Sequence, residues 1–159
     1  MKRVRLIAVA AIIVATIVLL ERVVVVPFQA NETRREVTAT TAAALSLGTD
    51  AEADAMARAN LTTLARLASD LPRDAQVQIL IAANYRVLRR FPEAIEAYDE
   101  ALAWEPTAYV YLNRGVTELA AGRRAPARAS FDRAILFDPS MRAVAAEAEQ
   151  AYDASLAAK

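Results

Sequence analysis

A 33-residue recurrence constrains this chain more than any other feature. Ala94, Tyr98, Ala101 and Pro106 are followed 33 residues later by Ala127, Phe131, Ala134 and Pro139, and Ala82 by Gly115. A fixed period of this length, with small residues, an aromatic and a proline in register, marks stacked helical hairpins. The stretch Ala75–Pro106 reads as two helices joined by a tight turn. Ala94, Tyr98 and Ala101 are spaced i, i+4, i+7 and share one helical face. Small residues on facing helices permit close approach, and the aromatic ring fills the gap to the next pair. Pro106 cannot continue the second helix, and it biases Glu105 away from helical geometry. Gly122 follows Leu119-Ala120-Ala121 and suits the left-handed conformation that ends a helix. Pro92 and Pro126 stand where a first helical turn tolerates proline.

The order small, small, aromatic, small, proline across Ala75–Pro139 resembles the tetratricopeptide repeat. The likeness is to small membrane-anchored members of bacterial type. It implies a short α-solenoid that binds peptides or proteins along the groove made by the first helix of each pair. The groove positions it implies are Gln76, Ile79, Ala83 and Arg86 in one repeat, and Tyr109, Leu112, Asn113 and Val116 in the next. One groove type in the family clamps a C-terminal carboxylate with lysine, arginine and asparagine. Here Ile79 and Ala83 stand where such polar ligands would be expected. The expected groove is therefore apolar and aromatic-lined, centred on Tyr109 and Leu112, and suited to an amphipathic helix or an extended segment. The competing expectation is that the N-terminal helices or the last helix fold back and fill it.

Composition narrows the fold class. Alanine is abundant, only three residues are glycine, and no long alternating pattern occurs, so an all-α fold is expected. The formal net charge is zero, but residues 1–29 carry Lys2, Arg3, Arg5 and Arg22 against Glu21 alone, and the remainder is net acidic. That distribution argues against a nucleic-acid-binding domain, which presents a basic face. The chain has no cysteine and no histidine. Disulfides and thiolate sites are excluded, and the commonest metal ligand and general base is missing.

Four segments follow in order. Residues 1–29 are expected to form a transmembrane signal-anchor. Leu6–Leu20 is free of charge, and the 21 residues from Leu6 to Val26 would span roughly 32 Å as a helix, about one bilayer core. A cleaved signal peptide is the rival reading, but bulky Phe28 stands two positions before Ala30, which makes a poor cleavage site. Lys2, Arg3 and Arg5 favour a cytoplasmic N-terminus and an outer C-terminal domain, periplasmic in a Gram-negative cell. Glu21 and Arg22 are expected at the outer interface, with Arg22 snorkelling, and contact with another subunit within the membrane is the alternative. Residues 30–72 read as a degenerate helical hairpin. A helix over Gln29–Leu47 either continues from the membrane or restarts after Pro27, with Asn31 as a cap. Gly48-Thr49-Asp50 makes a turn, and a helix over Ala51–Ser69 follows. Residues 73–139 hold two tetratricopeptide-like repeats. Residues 140–159 form a capping helix, with Ser140 as its cap and Met141, Val144, Ala148, Ala151, Tyr152 and Leu156 on its apolar face.

Charged clusters carry no chemistry of their own in this reading. Glu93, Glu96, Asp99 and Glu100 read as a solvated face near a helix start, and Arg86, Arg89 and Arg90 as surface ion-pairing partners. Arg123, Arg124 and Arg128 read alike, with lipid headgroups as an open alternative. No phosphate loop, dinucleotide fingerprint or metal-ligand spacing occurs in the sequence. The expected function is a non-enzymatic, membrane-anchored scaffold or accessory subunit. It would dock through the repeat domain onto a respiratory, photosynthetic, secretory or envelope complex at the outer surface. The alternative is an assembly factor or chaperone-like adaptor that binds segments transiently. The expected partners are proteins, together with lipid around residues 6–26. No cofactor, metal, nucleic acid or small-molecule substrate is expected.

Overall fold

Short polar side chains start three of the helices. The computed structural model describes residues 13–47 and 50–158. The basic start, the span's first residues up to Ile12, and the turn residues Gly48 and Thr49 lie outside the described residues. Among the described residues there are seven helices and no strand: α1 Ile13–Leu47, α2 Ala51–Asp70, α3 Ala75–Val87, α4 Phe91–Trp104, α5 Ala108–Ala120, α6 Arg124–Phe137 and α7 Met141–Ala157. Asp50 caps α2 by accepting from the Glu52 N–H at 3.4 Å. Asp74 caps α3 by accepting from Val77 at 3.1 Å, and Thr107 caps α5 by accepting from Val110 at 3.4 Å. Each satisfies a backbone donor that the first helical turn leaves orphaned. Ser140 makes no such bond for α7. Its N–H instead donates to Asp138 Oδ1 at 2.9 Å. The Ser140 hydroxyl and this N–H hold the Asp138 carboxyl below its ordinary range.

The chain divides into two units, residues 1–36 and 37–159. In the first, α1 passes through Pro27 without a break, so the helix continues rather than restarting. Glu21–Val25 forms a π turn, in which the Val26 N–H donates to the Glu21 carbonyl. A proline ring clashes with the carbonyl four residues back and supplies no N–H, and an inserted π turn relaxes that conflict. Asn31, expected as a cap, lies inside this helix because no helix starts there.

In the second unit the 33-residue period is a property of the backbone. Helices α3 and α4 recur as α5 and α6 with both ends of each displaced by 33 residues. The turns repeat too. Arg89 N–H donates to the Arg86 carbonyl and Arg90 N–H to Tyr85, while Gly122 donates to Leu119 and Arg123 to Glu118. Ala82, Ala94 and Ala101 surround Tyr98 in one copy, and Gly115, Ala127 and Ala134 surround Phe131 in the next, all buried. Burying one such ring removes roughly 150–250 Å² from water, which makes it the largest single apolar contribution in each pair.

Two polar arrangements sit among these apolar layers. Thr41, Asn60 and Asn84, from α1, α2 and α3, are buried together. Asn84 Nδ2 donates to Thr41 Oγ1 at 2.8 Å and to the Leu80 carbonyl at 2.8 Å. Asn60 Nδ2 donates to Asn84 Oδ1 at 3.0 Å and to Thr41 at 3.2 Å. Thr40 Oγ1 donates to Asn60 Oδ1 at 2.8 Å. Between α4, α5 and α6, the fully buried Glu118 accepts from Ser130 Oγ at 2.7 Å and faces Arg114 Nη1 at 3.2 Å. Arg114 reaches on to Asp99 of the preceding pair at 2.7 Å. A buried carboxylate is tolerated only with such partners. Asp99, read from sequence as part of a solvated face, therefore ties one helix pair to the next.

Candidate functional site

The first helices of the pairs leave a cleft of about 740 Å³ at their C-terminal ends, within the range of ligand-binding clefts. Leu45 of α1, Val87 of α3, Phe91 of α4, Val116 and Leu119 of α5, and Tyr152 of α7 supply apolar walls. Arg86 and Arg89 also line it. Neither forms an ion pair among the described residues, whereas Arg90 is paired with Glu93 at 2.7 Å and Arg124 with Asp153. Its own backbone N–H, and then the Arg90 contact, hold the Glu93 carboxyl below its ordinary range.

Helix α7 forms one wall of the cleft and does not fill it. Its apolar face is divided between two duties. Met141 packs against the core cluster around Phe131, Ala151 and Leu156 line the cleft, and Ala148 and Tyr152 do both. Val144 is 45% exposed and belongs to neither.

The positions implied by the repeat resemblance are distributed differently. Arg86 and Val116 come together on the cleft wall. Gln76 is exposed, and Ala83 is buried. Ile79 is half-buried against the cluster around Tyr98. Asn113 is half-buried, and its Nδ2 donates to the Tyr109 carbonyl at 2.9 Å. Tyr109 is 58% exposed, but Leu112 is 8% exposed and packs with Leu119 and Phe131. The apolar strip expected at Tyr109 and Leu112 is therefore not a continuous surface. Leu112 turns into the core because the helix rotates it towards Phe131. The sequence reading missed Leu119, Phe91, Tyr152 and Leu45. The period carried a signal for the first of these, since Arg86 advanced by 33 residues is Leu119.

Tyr98 lies behind this face. Burial pushes its hydroxyl up to about 12, against the opposing pull of the Arg86 guanidinium and the Thr117 hydroxyl. Among the described residues no group of three carboxylates stands close enough to hold a metal ion. The cleft presents an apolar slot with two guanidinium groups that form no ion pair among the described residues. Searches against protein-family models, curated proteins and solved structures find no match to this chain.

Proposed function

We propose that this protein is a single-pass, membrane-anchored accessory subunit that docks onto a membrane protein complex through a tetratricopeptide-like domain. The observation that carries the reading is α1. It is 35 residues long, and only 6% of its most apolar window is buried within the chain. The core helix of a water-soluble protein is covered by its own fold, and a helix left bare and apolar calls for lipid or another protein around it. The basic residues Lys2, Arg3 and Arg5 favour a cytoplasmic N-terminus, which places the helical domain on the outer side. Tethering raises the local concentration of any partner in the same membrane, so a modest cleft is enough for docking.

Purification of the tagged full chain from native membranes in mild detergent tests the reading. A scaffold subunit co-elutes with its complex in fixed stoichiometry, and a transient adaptor is lost or substoichiometric. Ala120→Glu and Ala151→Glu bring a carboxylate into the cleft from exposed positions on α5 and α7. Both should abolish co-elution while helical content and melting temperature stay unchanged. Unaltered co-elution would place the docking surface elsewhere.

A further inference from the structure

Glu21 and Arg22 are the only charged residues between Leu6 and Val26. Successive residues on a helix do not face each other, so the two cannot neutralise one another within one chain. If the segment Leu6–Val26 spans the membrane, both lie roughly 6–8 Å inside its outer end. Arg22 is long enough to snorkel from that depth and Glu21 is not. A charge held in hydrocarbon needs a partner.

The geometry around the two residues restricts what that partner is. They sit in the π turn Glu21–Val25, whose wider winding narrows the angle between neighbouring side chains. The valines that precede and follow them are open to a partner: Val14, Val18 and Val25 are 60%, 50% and 39% exposed. Val14, Val18 and Glu21 are spaced i, i+4, i+7, the repeat of a two-helix seam, and the π turn carries Val25 round from it. Glu21 then lies within that seam and Arg22 at its edge. Two copies inserted in one membrane have the same topology and hold these residues at the same depth. A two-fold axis along the seam sets Glu21 of each copy against Arg22 of the other. The pair is thus its own electrostatic complement.

We propose that α1 pairs in parallel with α1 of a second copy of this chain, through the Val14–Val18 seam and two reciprocal Glu21–Arg22 contacts. The proposal rests on the reading of α1 as a membrane anchor. The chain contains no cysteine, so one introduced thiol reports on one position. In membranes carrying the full-length protein, oxidation of Val14→Cys or Val18→Cys should yield covalent dimers. Leu20→Cys and Val24→Cys, exposed on the far side, should yield at least tenfold less. In the Val18→Cys background, Glu21→Arg alone and Arg22→Glu alone should each reduce dimer at least fivefold. The combined exchange should restore it. Equal cross-linking on all faces, indifference to the charge changes, or cross-links to a different protein would overturn the pairing. Alkaline carbonate extraction separates the two ideas. A chain released into solution overturns the anchor and the pairing together, and a chain that stays embedded but monomeric overturns the pairing alone.

Discussion

Arg89 and Gly122 occupy the same place in consecutive repeats, and both have a left-handed backbone, with φ of 55° and 74°. Each ends the first helix of its pair. An L-residue in this region carries roughly 1–2 kcal/mol of steric cost, while glycine carries roughly 0.5–1 kcal/mol of extra chain entropy. Arg89→Gly should therefore stabilise the domain by roughly 0.5–1 kcal/mol, raising the melting temperature by about 2–4 °C per kcal/mol. Gly122→Ala should destabilise it by about 1 kcal/mol. The cost at Gly122 is backbone strain alone, because an added Cβ meets nothing nearer than the Tyr152 hydroxyl at 4.0 Å.

Gly115 is limited by space. A Cβ there would stand 2.5 Å from Phe131 Cε1 and 2.7 Å from Cδ1. The aromatic ring is what approaches. Gly115→Ala should cost about 1–3 kcal/mol by overpacking, more than Gly122→Ala, and Gly115→Leu more again. Chemical denaturation checks the order. Phe131→Leu combined with Gly115→Ala should lose less than the sum of the two single changes, because the clash disappears with the ring.

Tyr98 predicts a response to alkali. Its folded-state pKa is raised from 10.0 to about 12, chiefly by burial. Between those values the unfolded chain releases a proton that the folded chain keeps, so stability falls as pH rises through that window. The loss attributable to Tyr98 approaches roughly 2–3 kcal/mol at its upper end. Urea midpoints of the wild type and Tyr98→Phe, measured across pH 9–12, should converge at the alkaline end.

Leu112 and Tyr109 should behave oppositely. Leu112 is packed in the core, so Leu112→Ala should cost about 2–4 kcal/mol. Tyr109→Ala, at an exposed position, should change stability by no more than about 0.5 kcal/mol. Equal losses in melting temperature would show that Tyr109 is held by the fold.

The all-α class, the 33-residue period and several of the helix ends follow from the sequence by itself. Alanine content, the proline positions and the placement of Tyr98 and Phe131 act over one or two helical turns, and that is the range over which a linear pattern carries information. The Gly122 turn and the Asp50 cap are of this kind, since each depends on a single residue's local conformation or bond. The buried polar cluster is not. Asn84 reads as one polar residue in the apolar run LIAANY, and its partner Thr41 lies 43 positions earlier. Nothing local distinguishes a solvated asparagine from one whose amide is satisfied by another helix. Glu118 is similar, because its burial depends on Arg114 and Ser130 converging from two helices. The cleft is likewise a tertiary property. Its walls come from α1, α3, α4, α5 and α7, and which face of each helix turns inward was settled by packing around Tyr98 and Phe131. Periodicity places a side chain on a face, but the rotation of that face is chosen only when all the helices compete for the same core.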